Sequence, residues 1–342
     1  MDVNNGKTLR EKAMDGTLRW IQCTWYRHQR LVEQEFYLRT GSYQWAQVWK
    51  GEVALFNEVK DKLATDYDVI QVNLSVQDWH LVNRIREMLN KAGNTHTKIV
   101  ANLDYTVELW QTSFDYLQAL KDGLKGADMI FGTEHHMSNA LELMIGRKVH
   151  TTPHPCHTKR LKSLKPKRTL PVITIVWHRY DTFSMLPSLI PKDLGYKIRL
   201  IGYEENADRK KFCTSTYFDE MLGATNYLDF CDELQESLVV IEPFTLTSHG
   251  RTTIDCAAMG VPVIGSERVE SCRRCYPYTT FDPLDVKAGR ELLKKVLNDP
   301  EFRKKVIETA QEKVEYYSHE QCKNRFIDFL EQGSYELKPE EL

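Results

Sequence analysis

Between residues 18 and 155 the sequence alternates short apolar segments with longer segments whose apolar residues recur at helical spacing. LRWIQCTWY (18–26), YDVIQVNLS (67–75), TKIVANLDY (97–105) and DMIFGT (128–133) read as strands bounded by polar residues. WAQVWKGEVALFNEVKDKLA (45–64), DWHLVNRIREMLNKAG, VELWQTSFDYLQALKDGLKGA and SNALELMIG read as helices, two of them closing on Gly93 and Gly146. RKVHTTPHP ends the series. Crossovers of this length join parallel strands, because a parallel neighbour needs a dozen or more residues of connection. The expectation is a parallel sheet with helices on both faces.

The pattern then breaks and restarts. HTKRLKSLKPKRTLP (157–171) is basic, poor in large apolar residues and contains two prolines, which marks it as a linker. Beyond it, VITIVWHR (172–179), YKIRLIGY (196–203), LVVIEPF (238–244) and VPVIGS read as strands, with NYLDF a short edge. TFSMLPSLIP, STYFDEMLG and DELQES read as short helices, and the chain from AGRELLKK onward as the final helices. Two doubly wound α/β domains are predicted, over residues 1–157 and 172–317, meeting at a cleft.

Composition narrows the function classes. A chain of 342 residues, 42% hydrophobic, can bury two cores. Its 46 basic and 48 acidic side chains leave a net charge of −2, which gives a nucleic-acid partner no support. No run of about 18 apolar residues predicts a membrane span, and the polar start MDVNNGKTLREKAMDG lacks an apolar signal core, so a cytoplasmic protein is expected. The eight cysteines are scattered, several in apolar runs, and read as small buried residues of a reducing compartment.

The most informative stretch is TSHGRTTIDCAAMGVPVIGS (247–266), which leaves a strand at its carboxyl end and enters a helix. Ligands of open parallel sheets bind at that end. A helix start offers unpaired N–H groups and the positive end of the dipole. Gly250 permits close approach of backbone to ligand, Arg251 adds forked donors, and Thr247, Ser248, Thr252 and Thr253 add hydroxyls. This is a cradle for phosphate or diphosphate. Asp255, inside the helix, is suited to accept from ribose hydroxyls. The competing reading is an ordinary helix capped by Thr247 or Ser248; Arg251 weighs against it, since helix starts favour acids.

EPFTLTSHGRTTIDCAAMGVPVIGS resembles the donor-site segment of retaining GT-B glycosyltransferases. That family shows an acid, Gly-Phe-Gly, a second acid eight positions after the first, then small residues and Gly-x-Pro-Val. Asp255, Gly260, Pro262 and Val263 match it; Thr247 stands for the first acid and His249 for the phenylalanine. Arg179 in VWHRY matches the family's arginine after the first strand of the second domain, and HTTPHPCHTKRLKSLKP its interdomain segment. YSHEQCKNRFIDFL resembles its closing helix, so residues 318–342 are expected to cross back to the first domain. The N-terminal glycine-rich loop is absent, with WIQCTWYRHQRL in its place, and no phosphate-binding lysine follows in YDTFSM.

The resemblance implies two Rossmann-like domains and transfer of a hexose from a UDP- or GDP-sugar to an unidentified acceptor, with retention and without a metal or cofactor. Donor-binding residues would be Arg179, Thr247, Ser248, His249, Gly250, Arg251, Thr252 and Asp255. Asp104 is a catalytic candidate at the end of its strand, without the histidine that often precedes it in the family. His135 and His136, after the strand DMIFG, read equally as cleft residues or as a polar helix start. Cys272 and Cys275 lack a second pair at zinc-ribbon spacing, and loop packing is the stronger reading. The alternatives are a nucleotide-sugar epimerase or hydrolase of the same fold, and a GT-B-fold binding protein without catalysis.

Overall fold

A computed structural model describes residues 7–24, 41–74, 80–103, 114–164, 171–176, 186–203, 218–223 and 227–338. The chain forms two compact units: the described residues up to Pro155 together with those from His319 onward, and Cys156–Ser318.

The first unit contains α1 (Leu9–Asp15), β1 (Trp20–Thr24), α2 (Gly41–Trp49), β2 (Glu52–Leu55), α3 (Phe56–Leu63), β3 (Val69–Leu74) and α4 (Leu81–Lys91). These are followed by β4 (Lys98–Leu103), α5 (Phe114–Gly123), β5 (Met129–Gly132), α6 (His135–Ile145) and β6 (His150–Thr151). Its six strands lie in the order β2-β1-β3-β4-β5-β6, all parallel. One face carries Ile21, Ile70, Val72, Ile99 and Ile130 against α3, α4 and α6. The other carries Trp20, Val69, Val100 and Phe131.

The second unit contains α7 (Thr158–Ser163), β7 (Val172–Val176), β8 (Lys197–Tyr203), β9 (Glu220–Gly223), α8 (Tyr227–Glu236), β10 (Val239–Glu242) and α9 (Arg251–Met259). β11 (Val263–Ser266), α10 (Glu270–Cys275), β12 (Thr280–Phe281), α11 (Val286–Asn298) and α12 (Pro300–Lys313) complete it. The strand order is β12-β11-β10-β7-β8-β9, again parallel throughout. The last helix, α13 (His319–Gln332), belongs to the first unit and buries Cys322, Phe326 and Leu330, spaced four apart, against Trp45 and Trp49 of α2. Trp45 and Phe326 have ring centroids 4.9 Å apart.

Several segments depart from the sequence expectation. WAQVWKGEVALFNEVKDKLA is not one helix: α2 stops at Trp49, Lys50 turns at φ +52°, and Glu52–Leu55 pair with β1 before α3 begins. Gly51 lies so close to the Trp20 carbonyl that a Cβ would overlap it. In STYFDEMLG the described residues place Glu220–Gly223 as an edge strand beside β8. NYLDF and DELQES join into the single helix α8. Of TFSMLPSLIP, Leu186–Leu189 form a short 3₁₀ turn. Within the predicted linker, Thr158–Ser163 are helical with Leu161 buried.

Candidate functional site

In the second unit the strand order reverses at β7, which has β8 on one side and β10 on the other. The carboxyl ends of β7 and β10 therefore flank the topological switch point, where open α/β sheets bind ligands. The segment after β10 leads to α9. Gly250, its N-cap, sits in the left-handed region (φ 78°, ψ 60°), and among the described residues no side chain caps the helix. A Cβ there would also overlap Ser271 Oγ and Val269 Cγ1, so glycine is required both by conformation and by space.

The segment is braced by the start of α10. Ser248 N donates to Arg268 O at 3.2 Å, Glu270 N to Ser248 O at 2.8 Å, and Ser271 N to His249 O at 3.3 Å. Ser271 Oγ donates to Gly250 O at 2.8 Å, and Gly250 N to Ser248 Oγ at 3.2 Å. Backbone placement at the helix mouth is thus set by a second element. α10 is held in turn by Glu270, which accepts from Tyr317 Oη and, at 2.8 Å, from Arg274 Nε. The Arg274 guanidinium stacks 3.7 Å from the centre of the Tyr316 ring. Burial, reinforced by Glu270, raises the Tyr317 pKa well above the ordinary tyrosine value, so it stays a donor.

Arg251 and Asp255 face each other one helical turn apart. Arg251 Nε donates to Asp255 Oδ1 at 2.9 Å, and Tyr227 Oη donates to the same oxygen at 3.0 Å. Asp255 has no solvent exposure, while the Arg251 side chain is 11% exposed. Asp255 Oδ2 is buried without a hydrogen-bond partner among the described residues. Burial opposes the Arg251 charge, but the Asp255 carboxylate, with Cys156 and Tyr227 nearby, reverses that and raises the guanidinium pKa well above its ordinary value. Tyr227 is raised by burial and then by Asp255, and likewise remains protonated.

The structure brings Ser248, Gly250, Arg251, Thr252 and Asp255 together, with differing exposure. Thr247 and Ser248 are part-exposed and Thr252 is fully buried. His249 is 8% exposed and meets the Tyr317 ring edge-on at 5.5 Å, packing as an aromatic residue would. Asp255 is fully buried, with one carboxylate oxygen held by Arg251 and Tyr227. Arg179 and Asp104 lie outside the described residues. His135 and His136 are exposed at the start of α6, where Glu134 accepts from the backbone N–H groups of His136 (3.0 Å) and Met137. Their surroundings are those of a polar helix start.

Cys272 and Cys275 lie buried in α10, a helix rather than a loop, and burial raises both thiol pKa values. Cys272 Sγ is 3.3 Å from Thr253 Oγ1. Among the described residues no group of three or more His, Cys, Asp or Glu is placed to hold a metal ion, and no helix is long and apolar enough to cross a membrane. Sequence reasoning missed Tyr227, Tyr317 and the bracing role of α10. The Glu270–Arg274 pair at helical i, i+4 spacing was the one local signal.

No protein-family model matches the sequence, and no curated protein matches it. Solved structures do. An α-glucosyltransferase in complex with UDP has a TM-score of 0.64 at 11% identity, covering 92% of this chain and 100% of that one. An α-glucosyltransferase in complex with UDP-glucose and DNA containing an abasic site has a TM-score of 0.66 at 13% identity, covering 92% and 99%. A sucrose-phosphate synthase from Thermosynechococcus elongatus has a TM-score of 0.63 at 16% identity, covering 81% and 76%. Two parallel six-stranded sheets with flanking helices are the GT-B fold that these proteins share with this chain.

Proposed function

We propose that this chain is a glycosyltransferase moving a hexose from a UDP- or GDP-activated donor to an acceptor, with retention and without a bridging metal. The observation that carries the proposal is the helix mouth at the switch point of the second sheet. There an uncapped, glycine-started helix stands beside an arginine fixed by a buried carboxylate. That arrangement suits a leaving diphosphate. The first-turn amides of α9 and the dipole of the helix favour an anion, and Gly250 lets its oxygens approach the backbone. Arg251 neutralises charge that builds as the sugar–oxygen bond breaks. Asp255 and Tyr227 hold the guanidinium in one orientation, so little reorganisation accompanies the reaction. Arg179, a few residues beyond β7 in sequence, is the second cation of the proposal, and Asp104 its candidate for acceptor or sugar contact.

Ser248 and Thr247 offer hydroxyls at the mouth, Thr247 where the resembling family has an acid. Solved structures similar to this chain include complexes described as holding UDP or UDP-glucose, which supports a uridine donor. One of those proteins is described with DNA; the net charge of −2 here gives a nucleic-acid acceptor no independent support.

The test is calorimetry of UDP, GDP and uridine with the wild-type chain and with folded Arg251→Ala protein, together with mass spectrometry of nucleotide released from UDP- and GDP-hexoses. A charge-assisted hydrogen bond contributes about 1.5–3 kcal/mol, so Arg251→Ala is expected to weaken the diphosphate about tenfold or more and to spare the nucleoside. Equal loss for UDP and uridine removes the phosphate role. Nucleotide binding without release from any sugar nucleotide favours the non-catalytic reading.

A further inference from the structure

The Arg251 guanidinium and the backbone around Gly250, which together make the helix mouth, are held by two separate sets of contacts. Both sets trace to one pair of residues, Cys156 and Tyr317, at the beginning and the end of the second unit. Among the described residues the chain passes between the units at Pro155–Cys156 and at Ser318–His319. Cys156 N donates to Tyr317 O at 2.7 Å, and Cys156 forms a parallel bridge with Ser318. The two passages are thus hydrogen-bonded side by side where they join the second unit.

One arm starts at Cys156. Its Sγ donates to Asp255 Oδ1 at 3.8 Å. The same oxygen accepts from Arg251 Nε and Tyr227 Oη, so the thiol rests on the carboxylate that orients the guanidinium. The other arm starts at Tyr317, in the 3₁₀ turn Val314–Tyr317 that follows α12. Its hydroxyl donates to Glu270, the first residue of α10. From there the contact continues through the backbone. Glu270 N donates to Ser248 O, Ser271 N to His249 O and Ser271 Oγ to Gly250 O. The Tyr317 ring also meets His249 edge-on.

Cys156 and Tyr317 have no solvent exposure. Each places its polar side-chain atom on a carboxylate that fixes part of the mouth, one the cation and the other the backbone. A diphosphate seated at the mouth restrains both parts. Through Asp255 and Glu270 that restraint reaches the Cys156–Tyr317 pair. The influence runs equally in both directions, because a coupling free energy between two places is reciprocal. Contacts that open less often protect their amides from exchange, so the backbone around Cys156 reports on the mouth.

We propose that Cys156 and Tyr317 are positioning residues for the donor diphosphate, tying its affinity to the paired chain passages at the edge of the second unit. The proposal rests on the donor-site reading above and adds to it two residues that act through Asp255 and Glu270.

Hydrogen exchange in the full chain is followed by mass spectrometry with and without saturating UDP, on the peptide 153–158 and on 197–203, which contains β8. The β8 peptide reports the general stabilisation that any bound ligand gives. Calorimetry of UDP, pyrophosphate and uridine is run alongside on wild type, on Tyr317→Phe, which keeps the ring and removes the hydroxyl, and on Cys156→Ala. In wild type UDP is expected to slow exchange of 153–158 at least fivefold more than that of 197–203, the low end of ordinary couplings. Tyr317→Phe should weaken UDP and pyrophosphate at least fivefold, leave uridine unchanged and lose the excess protection, and Cys156→Ala should act in the same direction. The proposal is overturned if UDP slows both wild-type peptides equally, if both variants bind UDP as wild type does, or if they melt earlier with UDP affinity and excess protection intact. Failure of UDP, GDP and pyrophosphate alike to bind wild type overturns the donor-site reading and this proposal with it, whereas binding without excess protection overturns this proposal alone.

Discussion

Replacing Asp255 by asparagine tests the central feature of the site. The carboxylate has no solvent exposure and accepts from Arg251 Nε at 2.9 Å and from Tyr227 Oη at 3.0 Å. Asparagine retains one acceptor oxygen of similar shape but leaves the guanidinium without a counter-charge, in a place where only 11% of the Arg251 side chain meets solvent. Breaking a buried ion pair by removing one partner costs about 3–5 kcal/mol, and the retained hydrogen bonds favour the lower end. For a unit of this size each kcal/mol lowers the melting temperature by about 2–4 °C, so a loss of roughly 6–12 °C is expected. UDP affinity should fall as well, because Arg251 is no longer oriented. The assay is differential scanning fluorimetry and UDP calorimetry on Asp255→Asn and on the double variant Arg251→Met/Asp255→Asn. The double variant removes the stranded charge and should regain part of the lost stability without regaining UDP affinity. An unchanged melting temperature in the single variant, or a double variant no more stable than the single, refutes the account. Loss of UDP affinity at full stability points instead to direct contact between Asp255 and the nucleotide.

Gly250→Ala should destabilise the second unit by about 2 kcal/mol or more, from the left-handed conformation and the overlap with Ser271 and Val269, and should weaken UDP; urea denaturation at the wild-type midpoint would contradict this. Burial raises the thiols of Cys256, Cys272 and Cys275, and pushes that of Cys23 up to about 12. An acid with a raised folded pKa keeps its proton in the native state while the unfolded chain loses it. Stability is therefore full below the unfolded thiol range, about 8.5, and falls as pH rises through it, by up to about 1.4 kcal/mol per pH unit for each thiol. Tyr227 and Tyr317 should steepen the fall above about pH 10. Denaturation midpoints from pH 7 to pH 11 measure it, and a flat profile counts against the burial of these groups. The same four thiols should react with an aromatic disulfide reagent only after denaturation; prompt reaction of Cys272 or Cys275 in the native chain would show α10 to be open.

Much of this protein is legible in its residues. The alternation of apolar runs with amphipathic segments requires parallel sheets, because crossovers of that length admit little else. TSHGRTTID exposes a helix start at the end of a strand, since glycine, hydroxyl residues and arginine at those positions make sense together. Both signals are local: periodicity and capping operate over a few residues. What the tertiary structure alone decided lies at longer range. Among the described residues β2 and β9 are edge strands, each paired to one neighbour, and four residues without a periodic pattern become strands through that pairing. NYLDFCDELQE is helical because Phe230 and Leu234 pack into the second core, where local reading saw an edge and a turn. Asp255 was legible as an acid in a helix, but its partner Tyr227 comes from a different helix, and the brace on Gly250 comes from α10. A carboxylate offered to ligand and one buried against tyrosine and arginine have the same local sequence. Only the fold determines how much water reaches it, and water access decides whether its charge recognises a substrate or holds another side chain in place.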